Sequence, residues 1–566
     1  MSSSPDLDSL TPGPDDLWFV PLGGVGEIGM NLALYGHDGA WLMVDCGVTF
    51  EESAIPGIDV IMPDTAFIEA RTDELVGIVL THAHEDHLGA IPYLWPDLGC
   101  PVYATPFTAT FLRTKLAEEG LDKEVPIIEV PLKGRFTVGP FDLEYVFQAH
   151  SIPEPNNLII RTPVGLVAHS GDWKLDPEPL ISGPADTARL AAIGDEGVLA
   201  YFGDSTNIFT PGRAGSEAEA RDGLCALVKE LHEEGAGRIA VACFASNIAR
   251  LSSIAEAARR VGREVCLAGR SLWRMVATAR ATGYLADGPT FLEADEATHL
   301  PDDRVLYIVT GSQGESRAAL ARIAFGSHPH IALGSGDVTV FSSRVIPGNE
   351  KAIFRMQNQL VRRGVRVITD YDQPIHVSGH PGRAEVEEMY GLLRPALAVP
   401  VHGERRHLEE HARVAEASGA GRALVIENGD LVALAPIDEA GVIAEVPTGR
   451  LALDGERIVP LNSATLRDRK RMVMHGAAVI TLVLDRAGNL ARAPMITTHG
   501  LFEPGEEEDD EVRQIVEVVR RAVNRLDRRD AGDDEAVAEA ARTALRRAFQ
   551  RDQGRKPLTD VHLIRI

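Results

Sequence analysis

Cysteine is scarce and scattered in this chain. Five residues, Cys46, Cys100, Cys225, Cys243 and Cys266, stand far apart with no C-x-x-C pair. That spacing excludes a thiolate zinc knuckle and a disulfide framework and points to a reducing, cytoplasmic setting. Basic charge is also short: 56 Lys and Arg against 83 Asp and Glu leave a formal net charge of −27. Such a surface opposes non-specific attraction to nucleic acid, while leaving room for a locally basic or metal-lined channel. No apolar run reaches the roughly 18 residues that would span a bilayer, so no membrane association is expected. The stretch Met1 to Asp16, rich in Ser, Pro and Asp, lacks the basic and apolar segments of a secretory leader and reads as a flexible N-terminus. What is left is a 566-residue chain with a 45% hydrophobic share, enough for roughly two to four globular domains.

Histidine, by contrast, is concentrated. Thr81-His82-Ala83-His84-Glu85-Asp86-His87 packs metal-ligating nitrogens and a carboxylate behind the apolar strand Leu75 to Leu80. In extended chain His82 and His84 share one side, because alternate residues share a face. Asp86 and His87 then enter the first turn of a helix, where they can reach a second ion. Three more candidate ligands each follow an apolar strand: His150 after Phe141 to Gln148, Asp172 after Leu166 to Ala168, and His402 after Ala396 to Val401. Taken together, His82, His84 and His150 suit one ion, Asp86, His87 and His402 another, and Asp172 can bridge them. A set made only of His and Asp suits zinc, with manganese or magnesium as alternatives. Two such ions about 4 Å apart activate water and stabilise charge in phosphoester hydrolysis. Nearer the N-terminus, Gly24, Gly26 and Gly29 match G-x-G-x-x-G with Asp45 downstream. A dinucleotide fold needs a helix between them, and the hairpin expected from Asn31 to Val44 leaves no room for one. A tight backbone turn near the metals is the better reading.

From Ser216 onward, helices alternate with apolar strands at Ile239 to Phe244, Val265 to Leu267, Val305 to Val309, Val338 to Ser342 and Val365 to Thr369, a parallel α/β pattern. The strands end in small, hydroxyl-bearing and glycine residues, among them Gly311, Ser312 and Gln313, whose backbone N–H groups suit phosphate oxygens. Val425 to Leu431, centred on Asn428-Gly429, reads as a hairpin, and residues 437 to 461 as a connector with short β pieces. The remainder reads as a separate α+β unit: a strand at Ala478 to Leu484, an acidic loop at Gly505 to Glu511, two amphipathic helices and a strand at Val561 to Ile566. Without metal ligands, it suits assembly or substrate handling.

The His-x-His-x-Asp-His order resembles the metallo-β-lactamase superfamily. Asp204-Ser205-Thr206-Asn207, Phe244-Ala245-Ser246-Asn247, Thr310-Gly311-Ser312-Gln313-Gly314-Glu315, His376-Val377-Ser378-Gly379-His380 and Val401-His402-Gly403-Glu404 narrow the resemblance to β-CASP nucleases of the bacterial ribonuclease J family. The resemblance implies an α/β fold: a metallo-β-lactamase αββα sandwich at 17–217 and 370–435, an inserted β-CASP α/β domain at 218–369, a linker at 436–460 and a small C-terminal α+β domain at 461–566. It implies a cytoplasmic, metal-dependent ribonuclease, a 5′-to-3′ exonuclease with endonuclease activity that prefers 5′-monophosphate ends in RNA maturation and mRNA decay. Homodimers or homotetramers and a place in an RNA-degradation complex follow from the same likeness. By position, Asp204, His380 and His402 match the family's additional acid and histidines, and His376 to His380 match its substrate-phosphate loop. Asp86 is then the candidate to orient or deprotonate water, and His380 to protonate the departing 3′-oxygen. His376, Val377, Ser378, Gly379 and His380, with Gly311, Ser312 and Gln313, would bind substrate, and Asp204 would support them. The chain departs from the family pattern at Ser316-Arg317 and Pro381-Gly382-Arg383, where the arginines are either phosphate contacts or surface charge. Small-ester hydrolysis, a non-catalytic RNA-binding scaffold and DNA cleavage are the alternatives. The large insert and the 376–380 loop weigh against the first, the complete ligand set against the second, and His402 against the third.

Overall fold

The computed structural model describes residues 10–50, 55–286, 288–346, 348–503 and 506–566, with backbone alone at 506–509. The chain forms two compact units, one holding Met62–Gly449 with the chain up to Thr49, the other holding Phe50–Ile61 and Arg450–Ile566.

The first unit is built on two facing sheets. One runs in the order Gly441–Glu445, Asp430–Ala433, Trp18–Gly23, Leu32–His37, Ala40–Val44, Leu75–Val79, Val102–Ala104, Ile127–Glu129. The other runs Arg422–Ala423, Leu397–Val401, Ala200–Asp204, Gly165–His169, Asn156–Thr162, Phe141–Phe147, Arg135–Val138. Phe19, Tyr35, Leu42 and Val44 of the first meet Leu143, Leu158, Val167, Phe202 and Val399 of the second in one apolar core. A second cluster joins Ile159, Ala168 and Tyr201, on the back of the second sheet, to Leu190, Met389 and Val414 of the helices Thr187–Glu196, Arg383–Leu393 and Arg405–Ala417. Helix Pro106–Glu118 lies against the strands at the far end of the first sheet. The layering is the expected αββα sandwich.

Between Asp204 and Leu397 the chain makes a five-stranded sheet of its own, Glu264–Ala268, Val305–Val309, Ile239–Ala242, Val338–Phe341 and Arg366–Ile368, with every pairing parallel. Its core carries Ala240, Tyr307, Val309, Leu320 and Ile353. This is the inserted α/β domain that the strand–helix alternation predicts.

One expectation fails here. Val425 to Leu431 is no hairpin: Arg422–Ala423 pairs with Leu397–Val401 in the second sheet, whereas Asp430–Ala433 pairs with Trp18–Gly23 in the first. The chain crosses between sheets, and Asn428 fixes the crossing by accepting from Val25 N and donating to Glu27 Oε1. The stretch 436–460 carries the short β pieces expected of it: Gly441–Glu445 adds an edge strand to the first sheet, and Arg450–Asp454 pairs with Arg457–Pro460.

In the second unit the sheet Met495–His499, Ala477–Leu484, Leu558–Arg565 packs Ile480, Leu482 and Leu484 against Ile515 and Val519 of helix Glu506–Val523 and Leu545 and Phe549 of helix Asp534–Gln553. The acidic stretch expected as a loop is helical from Glu506 onward, with Gly505 outside the described residues.

Candidate metal centre

Strand direction brings the scattered ligands together. Phe141–Phe147 is antiparallel to Asn156–Thr162, which is antiparallel to Gly165–His169; Ala200–Asp204 and Leu397–Val401 then run parallel to Gly165–His169. Four strands therefore end at one edge and deliver His150, Asp172, Asp204 and His402. Facing them, the parallel strands Ala40–Val44 and Leu75–Val79 deliver Asp45 and the histidine cluster. His84 is extended, with φ −74 and ψ 151, and precedes a single helical turn, Glu85–Leu88. That turn carries Asp86 and His87 to the second group of side chains, with the His87 ring still 4.1 Å from that of His82.

The side chains fall into two groups that share one carboxylate. In the first, His84 Nδ1 lies 3.1 Å from His82 Nε2 and 3.0 Å from His150 Nε2. Ligands of a tetrahedral ion at about 2.1 Å sit about 3.4 Å apart, so the three nitrogens are close to that spacing. In the second, Asp86 Oδ2 lies 3.3 Å from His402 Nε2 and 3.8 Å from His87 Nε2. Asp172 spans both: Oδ2 is 3.8 Å from His82 Nε2 and 3.7 Å from His150 Nε2, while Oδ1 is 3.3 Å from His87 Nε2. Asp172 Oδ1 is buried without a hydrogen-bond partner. A carboxylate oxygen buried among imidazole nitrogens suits a cation between them, so the residues fit divalent ions.

Acid–base behaviour points the same way. Burial, reinforced by the neighbouring histidines, holds His82 and His150 far below the usual histidine range. Burial also brings His84 down to about 4. A neutral imidazole is the form that can offer a ring nitrogen to a cation. Around the second group burial acts in the same direction but is outweighed by carboxylates: Asp172, Asp45 and Asp86 raise His87, and Asp172, Asp204 and Asp86 raise His402 to about 10. An ion binding there displaces protons.

Several positions that the sequence reading set aside or passed over hold this geometry. Asp45, at φ +61, accepts from Thr81 N and Thr81 Oγ1, each at 2.8 Å, and faces His87 Nδ1 at 2.7 Å. Such a carboxylate behind a ligating histidine fixes its tautomer and orientation. Gly47 lets the helical turn approach: a Cβ there would sit 1.7 Å from Asp86 O. The glycine-rich loop is the tight turn expected, with Gly24, Gly26 and Gly29 all at positive φ. Its Gly24 O accepts from His402 N at 2.7 Å, and His402 itself sits at φ +52.

His380 Nδ1 lies 2.8 Å from Asp204 Oδ2 and 3.9 Å from Asp172 Oδ2, and its ring stacks on His402 at 5.6 Å. Burial works against its charge, but Asp204 and Asp172 prevail and raise its pKa. The loop before it is anchored by Ser378 Oγ, which accepts from Asn207 Nδ2 and His380 N, and by Gly379 O, which lies 2.6 Å from His150 Nδ1. Val377 packs where a Cβ on Gly215 would stand. His376 is pressed well below its ordinary pKa by burial and then by Arg250, Arg344 and Lys174. Gly311, Ser312 and Gln313 are bound within the insert. Gln313 N donates to Glu315, and its side chain ties Arg344 O and Ile346 N. The first of these bonds occupies one of the three backbone donors expected to hold phosphate, Gln313 N. Arg383 pairs with Glu410 and donates to Ile208 O.

Family models match along the chain: Metallo-beta-lactamase superfamily at residues 26–216, Ribonuclease J, beta-CASP domain at 236–360, Zn-dependent metallo-hydrolase RNA specificity domain at 364–426, and Ribonuclease J C-terminal domain at 464–566. A crystal structure of a protein of unknown function from Enterococcus faecalis V583 shares the fold, with TM-score 0.52 and 17% identity over 74% of this chain and 100% of that one. Fold and site together define a metal-dependent hydrolase of the metallo-β-lactamase superfamily with a β-CASP insert, a nuclease architecture. Ribonuclease J of Sinorhizobium meliloti is 42% identical over 98% of both chains, and ribonuclease J of Mycolicibacterium smegmatis 37% identical over 98% of both. The chain belongs to the ribonuclease J family.

Proposed function

We propose that this protein hydrolyses RNA phosphodiesters as a 5′-to-3′ exoribonuclease with endonuclease activity, preferring 5′-monophosphate ends, in RNA maturation and mRNA decay. The observation that carries the reading is Asp172, whose two oxygens face two separate groups of nitrogens at 3.3–3.8 Å. His82, His84 and His150 would hold one divalent ion, Asp86, His87 and His402 the other, with Asp172 between. Zinc suits this His/Asp set, with manganese or magnesium as alternatives, and the bound ions would supply an activated water and neutralise charge on the phosphoryl oxygens.

Asp86, 30% exposed on its side chain, reaches the mouth of the site and would orient or deprotonate the attacking water. His380, held by Asp204, keeps a proton on a ring 23% exposed, and would pass it to the departing 3′-oxygen. His376, Val377, Ser378 and Gly379 would receive the terminal phosphate beside the positive charge of Arg250, Arg344 and Lys174. The backbone of Gly311, Ser312 and Gln313 would also contact the phosphate, with the Gln313 side chain holding the Arg344 loop. We extend the reading to a cytoplasmic enzyme that assembles as homodimers or homotetramers and joins an RNA-degradation complex. Sedimentation velocity on the purified protein tests the assembly.

The decisive test is time-resolved cleavage of one RNA bearing either a 5′-monophosphate or a 5′-triphosphate, with and without a chelator. Mononucleotide release confined to the monophosphate form and abolished by chelation is expected. Equal decay of both ends, or none on RNA, would overturn the proposal.

A further inference from the structure

Five histidines line the two groups, and each has its other ring nitrogen held. His82 Nδ1 meets Thr81 Oγ1 at 3.0 Å, His87 Nδ1 meets Asp45 Oδ2 at 2.7 Å, His150 Nδ1 meets Gly379 O at 2.6 Å, and His402 Nδ1 meets Thr206 Oγ1 at 2.8 Å. These four partners belong to the two-sheet domain that carries the histidines. The fifth does not. His84 Nε2 meets Ser246 Oγ at 3.1 Å, and Ser246 follows the strand Ile239–Ala242 of the inserted sheet, 162 positions away.

We propose that Ser246 is a positioning residue for His84, so that the inserted domain completes the first metal site as well as covering it. The inference rests on the reading of the site as a two-ion nuclease centre. An imidazole that offers Nδ1 to an ion carries its proton on Nε2, and that N–H needs an acceptor in the ring plane. Ser246 Oγ is that acceptor. Remove it and a half-buried ring loses the contact that sets its tautomer and its rotation about the Cβ–Cγ bond.

Ser246 is itself firmly held. Asn247 caps helix Ile248–Arg260 by accepting from Arg250 N at 2.8 Å, and its Nδ2 donates to Glu217 Oε1 at 3.2 Å. Arg250, 1% exposed, grips Glu217 through Nη2 at 3.0 Å and donates through Nη1 to Ser342 O at 3.0 Å and Ile375 O at 3.3 Å. One short stretch, Ser246 to Arg250, thereby touches both the histidine cluster and the chain entering the His376–His380 loop. Docking of the insert, the phosphate loop and the orientation of His84 are one mechanical unit.

The test uses the full chain as wild type, Ser246→Ala and Ser246→Thr, stripped of metal and titrated with Zn²⁺ against a competing chromogenic chelator. Wild type takes up two ions. Ser246→Ala weakens one of them about 10- to 100-fold, with the other ion and the melting temperature of the stripped protein unchanged, and Ser246→Thr restores the affinity. Wild-type affinity for both ions in Ser246→Ala would overturn the proposal. So would a Thr variant as weak as the Ala variant, which marks lost packing. A raised KM on RNA with unchanged ion affinity would overturn it too, since Ser246 would then contact substrate. If wild type itself takes up no divalent ion, the nuclease reading falls first, and the two failures are told apart.

Discussion

Asp45 Oδ2 stands 2.7 Å from His87 Nδ1 and thereby decides which nitrogen of that ring faces Asp172. Removing the charge but keeping the shape isolates this effect. Asp45→Asn is expected to lower metal affinity at the second group about 10- to 100-fold, measured as ion stoichiometry after dialysis against graded chelator. Retention of both ions at wild-type affinity would show that His87 needs no such partner.

His380 and Asp86 separate chemistry from ion holding. His380→Ala is expected to keep both ions and lose about 10²- to 10⁴-fold in kcat, since its Nδ1 is turned to Asp204 Oδ2 at 2.8 Å and stands 3.9 Å from the shared Asp172. Asp86→Ala is expected to lose activity and an ion together, because Asp86 Oδ2 is 3.3 Å from His402 Nε2. Steady-state cleavage paired with metal analysis checks both.

Gly47→Ala tests the approach of the Glu85–Leu88 turn. The added Cβ would meet Asp86 O at 1.7 Å, well inside contact distance, so the turn must move and carry Asp86 and His87 with it. Loss of bound metal without loss of overall secondary structure by circular dichroism is the expected result.

Chelation should destabilise the fold as well as silence it. Ligands that bind only the folded chain stabilise it by about 2.7 kcal/mol at a free concentration a hundred times Kd. A lower melting temperature in chelator, restored by Zn²⁺ or Mn²⁺, is expected, and an unchanged one would count against ions in the Asp172 cluster.

His411 offers a pH signature away from the candidate ligands. Burial brings it down to about 4, with Asp204 offsetting only part, while its ring nitrogens meet Ser205 Oγ at 2.8 Å and Tyr390 OH at 2.9 Å. The unfolded chain takes up the proton near 6.5 and the folded chain near 4. The stability its neutral form contributes is therefore complete above 6.5 and is lost as pH falls toward 4. The difference in unfolding free energy between wild type and His411→Gln should shrink across that window, read by urea denaturation at graded pH.

How much of this the sequence showed divides along a physical line. His82 to His87, His150, Asp172 and His402 were legible because several ligating side chains in one short segment, or one directly after an apolar strand, are unlike packing. Asp45, Thr81, Thr206 and Ser246 were not: each is an ordinary turn or cap residue until a fold puts it behind a histidine. Gly47 is silent for a related reason, since its role is an absence of side chain opposite Asp86. Strand alternation gave the insert and its parallel sheet. It misled at Asn428-Gly429, where the Asn428 side-chain amide serves instead to tie the chain to Val25 and Glu27, and at Glu506 onward, where a helix stands in place of a loop.

One consequence follows from His402, which reaches its place only after the inserted domain, at φ +52 with its N–H on Gly24 O. Synthesis proceeds from the N-terminus, so a polypeptide released by a stalled or truncated message anywhere before that residue lacks both the last histidine and the strand that closes the sheet edge. On the proposed ligand set, unfinished copies would therefore lack a complete second ion site by the order in which they are made, with no inhibitor required.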